Sequence, residues 1–186
     1  MKALAKGAIL GGLAMFVWSS ISWMVLDWHM GTFKRFENEA QVAEVLKANA
    51  TAGAGIYLLP YSGKGVDQEA AMQKSAAGPF SFMSLRPGSK ESGMGALMLK
   101  QFVADVLAAL LVTILLLQMQ HLSYGKRVVM ATTTALAAGA MVVLPNWVWW
   151  EFSMPWTIVS MLDLLIGWTL AGLVIAWVAK DAPDTV

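Results

Sequence analysis

The run 157–179, TIVSMLDLLIGWTLAGLVIAWVA, carries a single charged side chain, Asp163. At 1.5 Å rise per residue it is long enough to cross the ~30 Å hydrocarbon core of a bilayer. A helix apolar on all sides has to be buried in protein or placed in lipid. Three further runs have the same character: 7–26, 97–119 and 128–146. Backbone N–H and C=O groups facing lipid must be paired within their own segment, so such runs fold as helices. The expected fold is an all-α membrane bundle of four transmembrane helices. Composition agrees: 13% of residues are charged, against about 25% in soluble domains.

The first run follows Lys2 and Lys6, as a signal peptide would. It contains Trp18 and Trp23 and has no small-x-small site directly after it, so it reads as an uncleaved helix within a first segment 1–29. The remaining spans are placed at 97–119, 128–146 and 156–179. Small residues recur at spacing four: Gly7 and Gly11; Ala131, Ala135 and Gly139; Gly167 and Ala171; Gly172 and Ala176. This spacing lets helix backbones approach closely, either inside one bundle or between copies. The pairing of helices also admits two hairpins in tandem.

Between the first and second spans lies the one sizeable polar segment, 30–95. It reads as a small α+β insert. Residues 36–49 (FENEAQVAEVLKAN) carry apolar residues on one helical face. Strands are read at 55–61 and 79–86, ended by Pro60 and by Pro87-Gly88, with 62–78 as a loop. Lys2, Lys6, Lys126, Arg127 and Lys180 fall on one side of a four-pass topology. By the positive-inside rule both termini are cytoplasmic and 30–95 is extracytoplasmic. Trp147, Trp149, Trp150 and Trp156 then mark the outer interface.

Several chemistries are unsupported by the residue content. There is no cysteine, and His29 and His121 are the only histidines, so no metal or cofactor is expected. The net charge is +1, with no basic patch for nucleic acid. The methionines are spread along the chain and read as adaptable apolar filler.

Depth is the more informative property of the polar residues. Asp105 lies eight residues past Leu97 and Asp163 eight past Pro155, so both fall ~12 Å below the outer boundary. Ser20 is eight residues before Trp28, with Ser19 and Ser22 beside it. Lys100 lies about one turn above Asp105. Three helices are thus expected to deliver Ser19, Ser20, Ser22, Lys100, Asp105 and Asp163 to one intramembrane layer, where a carboxylate is a candidate functional group by default. Asp27, His29, Asn146 and Glu151 form a second set at the outer surface, in which His29 beside Asp27 or Glu151 offers an acid–base pair or a metal ligand.

Three stretches together, WMVLDWH at the exit of the first span, FENEAQVAEVLKAN followed by GIYLLP, and the closing NW…F…P…D…GW…G, resemble an uncharacterised family of small bacterial inner-membrane proteins with four predicted helices. The resemblance implies a multi-pass protein of the bacterial inner membrane and brings no activity, substrate or cofactor. Three functions remain open. The first is a non-enzymatic accessory or scaffold subunit that meets a protein partner, or another copy of itself, in the bilayer. The second is a small proton- or cation-coupled carrier using Asp105 and Asp163. The third is a membrane enzyme using outer-surface acid–base groups.

Overall fold

The computed structural model describes residues 1–89 and 93–180. The chain runs α1 (Lys2–Met24), a 3-10 turn (Met30–Thr32), α2 (Glu39–Asn49), β1 (Gly55–Leu59), α3 (Gln68–Ala77), β2 (Ser81–Leu85), α4 (Met94–Leu117), α5 (Tyr124–Trp150) and α6 (Met154–Lys180). It divides into two compact units, one of Met1–Phe33 with Gly93–Val186 and one of Lys34–Ser92.

The first unit is the helical bundle. Helices α1, α4, α5 and α6 are each long and apolar enough to cross a membrane. Contact is most extensive between α1 and α4 and between α5 and α6, and α1 also packs along α6. Glycine decides how close these helices come. A Cβ on Gly12 would stand 2.7 Å from the Val106 Cα, and one on Gly11 2.6 Å from the Ile175 side chain. A Cβ on Gly167 would meet Met15 and Trp18, and one on Gly172 would touch Ala131 at 3.1 Å. The small-residue pairs are therefore spent inside the bundle. Around them Ala109, Leu116, Ala131, Ala171, Ile175, Ala176 and Ala179 form a sealed core. Two polar contacts tie α5 to α6: the Thr132 and Thr169 hydroxyls at 3.3 Å, and the Tyr124 hydroxyl donating to the Leu173 carbonyl at 3.1 Å.

Helix boundaries differ from expectation in physically instructive ways. Helix α1 occupies Lys2–Met24 rather than 7–26. Helix α5 begins at Tyr124, ahead of the expected 128, and runs through Pro145 to Trp150, past the expected 146, so 151–153 alone join it to α6. Proline has no N–H to give the preceding turn, but helices packed among neighbours in a bilayer tolerate that loss. The helix ends at Glu151, in the left-handed region at φ 55° and ψ 33°, and Phe152 N–H closes onto the Asn146 carbonyl at 3.1 Å. An L side chain at that φ is strained by about 1 kcal/mol. Glu151→Gly is expected to raise the thermal unfolding midpoint, followed by tryptophan emission.

The second unit is the insert. The Asn38 side chain accepts from Gln41 N–H at 3.1 Å and starts α2 at Glu39, not at 36. Strands β1 and β2 pair antiparallel from Gly55↔Leu85 to Leu59↔Ser81, shorter than the expected 55–61 and 79–86. The expected loop 62–78 contains α3. Its sequence QEAAMQKSAA has little apolar periodicity, but its ends are well signalled. The Asp67 carboxylate accepts from Glu69 N–H at 2.9 Å, and Gly78 leaves the helix at φ 73°. Such an N-cap and such a terminal glycine are strong local stops.

Candidate functional site: a histidine–aspartate pair under a tryptophan box

At the end of α1 the chain turns back on itself. Gly31 N–H bonds the Asp27 carbonyl at 2.9 Å, and Thr32 bonds the His29 carbonyl through its N–H at 3.0 Å and its hydroxyl at 2.7 Å. This tight fold tucks His29 under the helix end, where it is 2% exposed. The Trp23 ring stacks on the imidazole at 4.0 Å and 6°. Trp28 and Trp156 meet it edge-on at 5.6 and 6.1 Å, and Phe33 stacks on Trp156.

Two helices supply the polar partners. On α1, Trp18 and Ser22 lie one turn apart and so share a face; on α6, Trp156 and Asp163 lie two turns apart and do the same. The Trp18 Nε1–H donates to Asp163 Oδ1 at 2.7 Å and approaches the Asp163 carbonyl at 3.2 Å. The His29 Nε2 stands 3.5 Å from Asp163 Oδ2 and 3.1 Å from Ser22 Oγ. The Trp28 Nε1–H donates to the same Ser22 oxygen at 3.0 Å. The buried His29 Nδ1 has no partner.

That pattern constrains the proton. With hydrogen on Nε2, the imidazole donates toward Ser22 and Asp163, and the bare Nδ1 is an acceptor lone pair rather than a stranded donor.

Asp163 also faces open space. A cavity of about 630 Å³ lies beside α1 and α4, with Asp163 in its wall. Ser19, Ser20 and Gln101 contribute the other polar groups, and Met15, Phe16, Met24 and Met98 are among the apolar ones. The serine hydroxyls donate to their own helix, Ser19 to Met15 O and Ser20 to Phe16 O, both at 2.9 Å. Their oxygens keep acceptor capacity toward the cavity.

The expected layer is assembled in altered form. Ser19, Ser20 and Asp163 do share one wall. Ser22 instead belongs to the histidine cluster. Asp105 is buried but lies outside the cavity lining; Gln101, one turn earlier on α4, donates to its Oδ1 at 2.9 Å and itself lines the cavity. Lys100 is exposed and makes no ion pair among the described residues. Of the outer-surface set, Asp27 and Glu151 are exposed and Asn146 is half-buried, so the partner of His29 is Asp163 and not Asp27 or Glu151. Among the described residues no three His, Asp or Glu side chains gather as a metal site. Sequence reasoning missed Trp18, Trp28 and Gln101. The four-residue spacings Trp18–Ser22 and Gln101–Asp105 were the available signal. No protein-family model, curated protein or solved structure matches the chain.

Proposed function

We propose that this chain is a small proton-coupled carrier of the bacterial inner membrane, with both termini cytoplasmic and the insert outside. The cavity beside α1 and α4 receives an amphipathic solute, and the His29–Asp163 pair exchanges the proton. The observation that carries this reading is the double position of Asp163: one carboxylate stands 3.5 Å from a buried histidine and forms part of a cavity wall. A carboxylate serving only as a brace needs no open space beside it. At about 630 Å³ the cavity falls in the usual range of small-molecule sites, which are mostly apolar with a few convergent polar groups. Methionine-rich walls adapt to more than one ligand shape. The lysine and arginine distribution supports the orientation, and the resemblance of the sequence supports the membrane.

The accessory-subunit reading drew on the chain's small size, on small residues suited to helix association and on the absence of recognisable chemistry, with the insert and the outer aromatic rim as its binding surface. Gly7, Gly11, Gly12, Gly167 and Gly172 are occupied within the bundle, which removes one of those supports.

The test is native mass spectrometry of the protein extracted in mild detergent. The wild type is expected to retain a small amphiphile at one per chain. Ser20→Trp, which fills the cavity, is expected to release it while tryptophan emission still reports a folded bundle. A preparation that keeps a stoichiometric protein partner and no small molecule would sink the carrier reading and restore the accessory one.

A further inference from the structure

The opposite end of the bundle holds a second unmet polar group. On α5 the buried residues are Arg127, Ala131 and Ala135, a stripe at spacing four that faces the core. Ala131 and Ala135 belong to the sealed apolar cluster. Arg127 continues their stripe and is 4% exposed, yet its Nε and Nη1 have no hydrogen-bond partner. In the turn before α5, the Gln120 side-chain Nε2 is buried and likewise unpartnered. The first turn of α5 lies at the same place, and the Ser123 side chain makes no capping bond to it.

Charge at this end has one sign among the described residues. Lys2, Lys6, Lys126, Arg127 and Lys180 stand there, while 1–12, 112–132 and 172–180 contain no aspartate or glutamate. An unpaired buried guanidinium is strongly unfavourable, since its desolvation is offset only by a good partner. A leucine or alanine would complete the stripe without that cost. An arginine kept there points to an anion supplied from outside the described residues.

We propose that Arg127 and Gln120, with the first-turn N–H groups of α5, bind the phosphate group of an anionic membrane lipid. Three features favour phosphate on a lipid. A guanidinium presents paired N–H donors that match two phosphate oxygens. Helix side chains lean toward the N-terminus, so Arg127 reaches back to the turn whose free N–H groups favour an anion. Basic pockets between transmembrane helices at a lysine-rich membrane face are suited to anionic headgroups.

The experiment uses the full chain in detergent, titrated with phosphatidylglycerol, with phosphatidylcholine of the same acyl chains, or with inorganic phosphate. Bound lipid is counted by native mass spectrometry, and thermal midpoints are read by tryptophan emission. One phosphatidylglycerol per chain is expected to be retained with a raised midpoint, while phosphatidylcholine and inorganic phosphate give neither. Arg127→Ala is expected to weaken phosphatidylglycerol roughly tenfold, the scale of one charge-assisted contact. Gln120→Leu is expected to weaken it less and guards against a folding defect in the arginine variant. Equal retention of both lipids, or unchanged phosphatidylglycerol binding by folded Arg127→Ala, overturns the proposal. Inorganic phosphate raising the midpoint as far as phosphatidylglycerol overturns the lipid source. Deletion of 181–186, which carries Asp181 and Asp184, is expected to leave lipid binding intact. Loss of the arginine's effect in that deletion would show the tail carboxylates to be the partner and overturn the assignment.

Discussion

Gly12→Ala is expected to cost about 2–3 kcal/mol of bundle stability, a large share for a single methyl group. The added Cβ would stand 2.7 Å from the Val106 Cα and 2.8 Å from its backbone nitrogen. Backbone atoms cannot rotate away, so α1 has to retreat from α4 and loosen contacts along both helices. Gly139→Ala is the internal comparison. Its Cβ would meet the outer methyl of Leu164, which can turn to another rotamer, and the predicted cost is below about 1 kcal/mol. Gly125 has open space where its Cβ would go, and alanine there is expected to be neutral or stabilising by up to about 1 kcal/mol through helix propensity. Reversible unfolding of the three variants in mixed micelles of mild detergent and dodecyl sulfate gives the ranking. Equal loss at Gly12 and Gly125 would show that α1 and α4 are not held at backbone contact.

The four bundle helices were legible because each is a long apolar run, a signal that needs no knowledge of neighbours. The insert helix α3 was not, because its residues show no apolar period and its markers, Asp67, Glu69, Lys74 and Gly78, are confined to its ends. The depth count from Trp28 and Pro155 placed Ser20 and Asp163 at one level, and they share the cavity wall. Depth along a helix says nothing about rotation around it, which is why Asp105 at the same level sits behind Gln101 instead of facing Asp163. His29 was the least readable member. A polar residue just past a helix end is ordinarily solvated. Its burial arises from the fold-back at Asp27–Thr32 and from tryptophans on two elements. Trp18, Trp23 and Trp28 are five residues apart, a spacing that matches no single helical face, so their convergence on the pair is a tertiary fact. Pro145 lies inside α5, which runs past the expected end at 146 to Trp150.

Asp163 is where stability and function meet, and two substitutions separate them. In Asp163→Ala, Trp18 Nε1–H and His29 Nε2 both lose the carboxylate, while Trp18 keeps the backbone carbonyl of residue 163 at 3.2 Å and His29 keeps Ser22 Oγ at 3.1 Å. With those contacts kept, the cost is expected to be about 2 kcal/mol, the scale of a hydrogen bond to a charged group. Asp163→Asn keeps an oxygen in the place where Trp18 donates, removes the charge, and presents an amide to His29. Its stability loss is expected to be about 1 kcal/mol, the scale of an ordinary hydrogen bond. If the carboxylate only braces the bundle, ligand retention should track stability, and the asparagine variant should keep most of it. If Asp163 exchanges a proton with a solute in the cavity, the asparagine variant should fold and still lose pH-dependent retention. An asparagine variant with wild-type retention at every pH would leave Asp163 as a structural partner of Trp18 and His29 and nothing more.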